Sequence, residues 1–283
     1  MSERVFFEMT EAQESELLAA MQPQPLIYLS GGIPMFASRQ ERANAAWAKL
    51  GRELGFDHMT VQAISGLNRA DVLRAMRAIN DKKLTLAVGH ERRFEPPVMK
   101  AMEMIHSGVI GTPLQMEANF SQDKFLALQP DNWRLSGQEA PAGPLTATGI
   151  HLLDLSVGVF GEAESVFTSV KQLGSGLTNG DTLAALVTFK RGGHALISAI
   201  LATPFAGRFA VYGSQGWAEV RDKTHPEAPE GWTFTTCLRG QPMTVIDMPP
   251  APAVLHNLEA FADAALGRAP YPVPREQMIA NVS

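Results

Sequence analysis

The rhythm of the chain changes once, near Gly111, and that change limits the fold more than any other feature. Before it, short apolar segments alternate with amphipathic ones. "RVFFEM" reads as a strand and "TEAQ" as a capping box. "LIYL" (26–29) ends at Ser30-Gly31-Gly32, and "HMTV" (58–61) and "LTLAV" (84–88) are further strands. Ala43, Ala46, Trp47, Leu50 and Leu54 recur at helical spacing, as do Val72, Leu73, Met76 and Ile79. Pro96-Pro97 opens another helix through Val98, Met102 and Ile105 to Gly108. Strands that alternate with helices pair in parallel through right-handed crossovers. Residues 1–111 are therefore expected to form a doubly wound α/β domain.

After Gly111 the segments are short and separated by turn residues: "TPLQMEANF", "SVFTSVKQL", "DTLAALVTFK", "HALISAILA", "RFAVYGS" and "GWAEVRD". "KRGGH" and "GSQG" are hairpin signals, which join antiparallel neighbours. Only the helices "TATGIHLLDLSVGVF" and "LHNLEAFADAAL" interrupt them. The expectation for 112–283 is an α+β domain, an open antiparallel sheet with helices on one face, with 255–283 packing back toward the first domain.

At 283 residues the chain has room for two domains. Its net charge of −5, with no cluster of Lys and Arg interleaved with aromatics, argues against a nucleic-acid partner. A single cysteine, Cys237, leaves no internal disulfide and no multi-cysteine metal site. The opening "MSERVFFEMTEAQESELL" lacks the pattern of a secretory leader, and no run nears the roughly 18 apolar residues of a membrane helix. The expectation is a cytoplasmic protein.

The seven histidines (58, 90, 106, 151, 194, 225, 256) show no i, i+4 pair and no HExxH, so no metal is expected. There is no GxSxG, and Cys237 has no marked base nearby in sequence. A dinucleotide would need a Gly-rich turn after the first strand. That strand runs into "EMTEAQESEL", and no glycine precedes Gly31. "GSGLTNG" (174–180) lies between two antiparallel strands and reads as a loop, whereas "SGGIP" reads as a strand-to-helix turn or a close approach to a ligand.

Polar residues remain where an α/β sheet gathers ligands, beyond the carboxyl ends of its strands. These are His90, Arg92 and Arg93 in "GHERRF", then Trp133 and Arg134 in "NWRL", then His151 and Asp154. The arginines could clamp a carboxylate or sugar hydroxyls, or form salt bridges. Trp133 could stack on a sugar ring or pack. His151 and Asp154 are three apart and share a helix face. His151 reads either as a general acid/base or as a structural histidine.

These stretches in register, together with "LTLAVGHERRFEPPVMKAMEMIHSGVIGTPLQMEANFSQ", "GPLTATGIHLLDLSVGVFG", "RFAVYGSQGWAEV" and "LEAFADAALGR", closely resemble the glucose–fructose oxidoreductase/inositol dehydrogenase (Gfo/Idh/MocA) family. The resemblance implies a Rossmann domain followed by an antiparallel-sheet domain whose outer face makes dimers or tetramers. It also implies NAD(P)-linked chemistry on sugars, cyclitols or related hydroxy compounds. Arg93, Trp133, His151 and Asp154 match the family pattern. Gln62-Ala63-Ile64 stands where the family has Glu-Lys-Pro, and Ala147 where it often has an aspartate. The family's opening strand and Gly-rich loop have no counterpart, so the Rossmann-like sheet is expected to be incomplete and the chain to start two strands late.

The expected function is accordingly a degenerate member of this family, lacking the dinucleotide fingerprint and the family lysine. It would bind or act on a sugar-like or hydroxy-acid ligand through catalytic His151 and Asp154, with Arg92, Arg93, Trp133 and Arg134 as ligand-binding residues. No cofactor is expected for this chain alone, and NAD(P) enters only through the resemblance, with Gly31, Gly32, Gln62 and His90 as remnant positions. Two alternatives stand beside it: an NAD(P)-dependent oxidoreductase whose N-terminal strands are missing from this chain, and a ligand-free interaction protein. Homo- or hetero-oligomers through the sheet are the expected assembly.

Overall fold

The computed structural model describes residues 85–281, the strand at 27–29 and the isolated positions 77, 79 and 81. The expectations placed on "RVFFEM", "HMTV", Gly31, Gly32, Gln62 and the helices before residue 77 lie outside the described residues. The chain divides into two compact units, Arg92–Ala253 in one, and Leu86–Val88 with the segment from Val254 onward in the other.

In the second unit, β1 (Ile27–Leu29) pairs in parallel with β2 (Leu86–Val88), with Tyr28 opposite Ala87. This is the pairing that alternating strands and helices imply. The segment after Val254 closes on the carboxyl end of β2. Asn257, on helix α3 (Ala253–Ala265), donates to the Val88 carbonyl at 3.1 Å, and the Tyr271 hydroxyl lies 2.6 Å from Asn257 Oδ1. A last short helix, Arg275–Ala280, buries Met278.

The Arg92–Ala253 unit is built on one eight-stranded sheet. Its strands are β3 (Pro113–Ser121), β4 (Ala163–Lys171), β5 (Thr182–Phe189), β6 (His194–Ile200), β7 (Ala206–Gly213), β8 (Gly216–Asp222), β9 (Trp232–Leu238) and β10 (Thr244–Met248). They lie in the order β10-β9-β8-β7-β3-β6-β5-β4. The Gly192-Gly193 turn joins β5 to β6 and Ser214-Gln215 joins β7 to β8, both antiparallel, as turn chemistry requires. One neighbour pair differs from the expected antiparallel sheet. β3 and β6 run parallel, with Ala118 opposite Ile197. Turn residues govern only adjacent strands, and β3 reaches β6 across two intervening strands in sequence. The parallel contact therefore carries no local signal.

Two helices cover one face. Helix α1 (Pro96–His106) buries Pro97, Val98, Ala101 and Ile105, an i, i+4, i+8 stripe with a flanking proline at its first turn. Helix α2 (Ile150–Phe160) is apolar nearly all round, and Leu152, Leu155 and Phe160 enter the core. They meet Met116, Phe120, Val187, Ile197, Phe209, Val211, Val220 and Phe234 from the strands, and Phe160 stacks on Phe189 at 4.9 Å. Each such aromatic or aliphatic side chain gains about 1.5–3 kcal/mol on burial. On the opposite face of the sheet Phe167, Leu186 and Leu196 are exposed.

The helix read from "TATGIHLLDLSVGVF" is two structures. Leu145–Gly149 is a π-helical turn that runs directly into α2. π-Turns widen a helix where a side chain must be placed off the regular path. This one is held from outside. Gly143 donates its N–H to the Asn179 carbonyl at 2.7 Å, and the Asn179 amide donates to the carbonyls of Arg134 and Ala140. A Cβ on Gly143 would lie 2.9 Å from the Asn179 side chain, so the approach needs glycine. The preceding Ala142 sits at φ 54°, a left-handed conformation that costs a non-glycine residue about 1–2 kcal/mol.

Candidate functional site

His151 projects from the first turn of α2 and is buried, 3 % exposed. Its ring lies 6.2 Å from that of Phe120, at the end of β3. Burial pushes the imidazole pKa down, the nearby Arg92 guanidinium adds to the effect, and Asp154 opposes it. The net result is about 4, so the ring is neutral at physiological pH. A neutral imidazole offers one donor and one acceptor.

Asp154 follows one turn later, and its partner is Arg93. Arg93 Nε reaches Oδ2 at 2.5 Å, and Nη2 reaches Oδ1 and the Asp154 carbonyl, both at 2.8 Å. This is a bidentate, largely buried pair that fixes α2 against the 3-10 turn Glu91–Phe94. Arg93 and Asp154, proposed from sequence for ligand binding and catalysis, are thus committed to each other, and Asp154 reaches His151 as a charge.

Arg92 points the other way. It is 1 % exposed and grips Asp222 at the end of β8 through Nη2, at 2.9 and 2.8 Å, with Glu95 at 3.3 Å. Its guanidinium also lies over the Phe120 ring, 5.2 Å from the centroid. Asp222 accepts a further bond from the Trp232 indole at 3.0 Å. Both arginines form salt bridges, and the partners Asp222 and Asp154 lie in the same Arg92–Ala253 unit rather than across domains.

Trp133 and Arg134 lie on a short 3-10 turn started by Asn132, whose side chain accepts from the Arg134 N–H. Trp133 is 45 % exposed, and Arg134 stacks over it at 4.5 Å. Burial lowers the Arg134 pKa, and Glu227 counters that. His90 belongs to the other unit and is buried, with its backbone N–H on the Val88 carbonyl. Gly31, Gly32 and Gln62 lie outside the described residues.

Residues around Phe120 that the sequence did not single out complete the cluster. His225, from the Pro-rich loop after β8, packs on Phe120 at 5.7 Å and edge-on to Phe205 at 5.4 Å. Its Nε2 lies 2.7 Å from Gln122 Oε1, and its Nδ1 lies 3.1 Å from both Lys124 Nζ and the Glu227 N–H. Lys124 also pairs with Glu227. Burial, Lys124 and Arg92 lower the His225 pKa to about 4 against Glu227 and Asp222. Nothing in residue spacing marks Gln122 or His225, because each lies about a hundred positions from its partner. Among the described residues no group of three or more His, Cys, Asp or Glu is arranged to hold a metal, and no helix is long and apolar enough to cross a membrane.

Residues 98–219, which carry α1, the π-turn, α2 and most of the sheet, match the model of the GFO/IDH/MocA C-terminal domain. That match spans less than half of the chain and shows a GFO/IDH/MocA C-terminal domain over those residues. An uncharacterized oxidoreductase, YdgJ, of Escherichia coli is 28 % identical over 131 residues, 46 % of this chain and 37 % of its own. A D-xylose 1-dehydrogenase [NADP(+)] of Haloarcula marismortui is 30 % identical over 84 residues, 29 % of this chain and 23 % of its own. The chain thus spans less than half the length of these curated relatives. An inositol dehydrogenase homolog of Azotobacter vinelandii, solved with NAD+, superposes with a TM-score of 0.66 at 15 % identity, over 92 % of this chain and 93 % of that one. That likeness is one of fold. Phe120, Gln122, His151 and Asp154 fall within the matched residues, whereas Arg92, Asp222 and His225 lie outside them.

Proposed function

We propose that this protein binds a sugar-like or hydroxy-acid ligand at the Phe120 end of its sheet, with His151 as the residue that takes up or returns a hydroxyl proton, and that it does so without a dinucleotide held by its own residues. The observation that carries the reading is the neutral, buried His151 between Arg92 and Asp154. A ring kept uncharged by its surroundings can accept a proton from a ligand hydroxyl, and the Asp154 carboxylate favours the charge that follows. Trp133, half exposed beside Arg134, adds an aromatic face of the kind that sugar rings stack on. Ala63 supports the second half of the proposal, since it can neither donate nor accept a proton where the family pattern has a lysine.

A second reading, an NAD(P)-dependent oxidoreductase of sugars or cyclitols, is favoured by the names of the relatives that match. Titration with NAD(H) and NADP(H), followed by quenching of the four tryptophans and by melting temperature, separates the two. Saturable micromolar binding supports the second reading and overturns the absence of a dinucleotide. For the site itself, His151→Asn is expected to abolish ligand binding or turnover while the melting temperature moves by only a few degrees. A variant that binds as the wild type does would sink the assignment.

The same proposal includes a second copy of the chain on the face of the sheet opposite the helices. Phe167 (75 % exposed), Leu186 and Leu196 form an apolar patch there. Beside it, Arg208 bridges Glu117 and Glu219 at 3.0 and 2.6 Å, so the surface carries both signs and can complement itself. Sedimentation of wild type and Phe167→Glu is the check. A dimer that the variant splits is expected.

A further inference from the structure

The connection from β4 to β5, residues 172–181, holds neither helix nor strand and is fixed instead by one buried carboxylate. Asp181 accepts from the Leu173 and Gly174 N–H groups at 3.0 and 2.9 Å, and from the Ser175 and Thr182 hydroxyls at 2.7 and 2.9 Å. Bonds to an ionised acceptor are short and strong, so four of them leave the loop little freedom. Gly180 adds a close approach. It sits at φ 92°, and a Cβ there would lie 2.6 Å from the Val170 side chain. Asn179, one residue earlier, is thus carried on a rigid base.

Asn179 is 8 % exposed and meets one stretch of chain at three points. Its amide donates to the carbonyls of Arg134 and Ala140 at 2.8 and 3.0 Å, and its own carbonyl accepts the Gly143 N–H at 2.7 Å. The first point lies on the turn that carries Trp133, and the last opens the π-turn. Reversing the carboxamide would set its oxygen against two carbonyl oxygens. The orientation is therefore fixed, and Oδ1 stays buried without a hydrogen bond among the described residues. An unmet buried acceptor costs free energy, so the position is set by its need for two neutral donors on one short side chain, which serine, aspartate and leucine all lack.

From Gly143 the support runs on to α2. Its carbonyl accepts from the Thr146 hydroxyl at 3.2 Å, and the Ile150 N–H reaches back to the Leu145 carbonyl. Leu183, two residues after Asp181, packs on Gly149, where a Cβ would lie 3.0 Å from it. His151 follows directly.

We infer that Asn179 is a positioning residue of the site: its carboxamide ties the Trp133 turn to the π-turn and so holds His151 in its buried place. This rests on the proposed reading of His151 as the proton acceptor, and it gives that residue a support drawn from the β4–β5 loop.

The ring itself reports on the support. Burial is the first cause of its low pKa, and water admitted at a loosened turn relieves it. NMR of the histidine-labelled full chain from pH 5 to 7.5 gives the protonated fraction, with the His151 signal assigned by its loss in His151→Asn. With a pKa of about 4, about a tenth of wild-type rings carry a proton at pH 5. Asn179→Leu keeps the branched outline and neutrality and removes both donors. About half of its rings are expected to be protonated at pH 5, a rise of about one pH unit. Asn132→Ala unties the Trp133 turn at its cap and should move the ring the same way by less. Beside Asn179→Leu it should add nothing, since the path runs through Asn179. Gly111→Ala, whose Cβ would meet Ser214 and Gln215 at the far end of β3, is the control for loss of stability alone. A His151 signal that moves no more in Asn179→Leu than in Gly111→Ala overturns the inference, as does an Asn132→Ala effect that persists in full beside Asn179→Leu. Should Asn179→Leu not fold, Asn132→Ala decides: a shift of the ring upholds the tie, and none ends it. No ligand enters these measurements, so the inference can fail while the reading of His151 stands, and ligand binding by His151→Asn tests that reading separately.

Discussion

Arg92 and Asp222 are 130 residues apart in sequence and form a two-bond ion pair at 2.9 and 2.8 Å with both side chains almost wholly excluded from water. The pair ties the turn before α1 to the end of β8. It also places a guanidinium over Phe120, where it acts on both His151 and His225.

Removing one partner of such a pair strands the other charge. Asp222→Ala is expected to lower unfolding free energy by about 3–5 kcal/mol, read from urea denaturation. It also deletes the acceptor of the Trp232 indole, so the emission of that tryptophan should shift in the folded state. An Arg92→Met/Asp222→Leu/Glu95→Gln triple variant should recover much of the loss, because neither Asp222 nor Glu95 is then left as a buried charge without Arg92.

Acid should destabilise the protein earlier than carboxylates alone would. The His151 pKa is about 4 when folded and about 6.5 when unfolded, so between these values the unfolded chain binds more protons. Stability contributed by the neutral ring is fully present above pH ~6.5 and falls as pH drops toward 4, by at most about 1.4 kcal/mol per pH unit. Urea melts from pH 7.5 to 4.5 should show this slope, and His151→Phe should flatten it. His225 shifts in the same direction and adds to the slope that remains.

The β5–β6 hairpin depends on Gly193. It sits at φ 80°, and a Cβ there would lie 2.5 Å from the Phe160 ring. Gly193→Ala combines backbone strain with a clash in the Phe160–Phe189 stack. A loss of about 2–3 kcal/mol is expected from thermal unfolding. Gly192→Ala, with nothing within 4 Å of its Cβ, should cost less.

The π-turn is supported by Asn179. Its amide bonds to Arg134 and Ala140 are lost in Asn179→Leu, leaving two carbonyls unmade at about 1–3 kcal/mol each. Hydrogen exchange should quicken at Gly143, Leu145 and Thr146, whose N–H groups are fixed around the same turn. Protection in the middle of β7 should not change.

The elements whose causes are local were legible in the sequence. Pro96-Pro97 and the Val98–Ala101–Ile105 stripe mark α1, Gly192-Gly193 marks a hairpin, and the apolar run from Ile150 to Phe160 marks a helix that could only be buried. His151 and Asp154 could be picked out as polar residues on that run. Their roles could not, because the partners come from elsewhere in the chain. Asp154 is claimed by Arg93, 61 positions earlier, and Gln122 meets His225, 103 positions later. Likewise β3 lies parallel to β6, a pairing that no turn specifies. Backbone conformation and amphipathic period act over a few residues, so sequence alone determined the elements and their buried faces. Charge pairing acts through space across strand ends, and only the tertiary structure decided which carboxylate each arginine holds and which side chains meet His225.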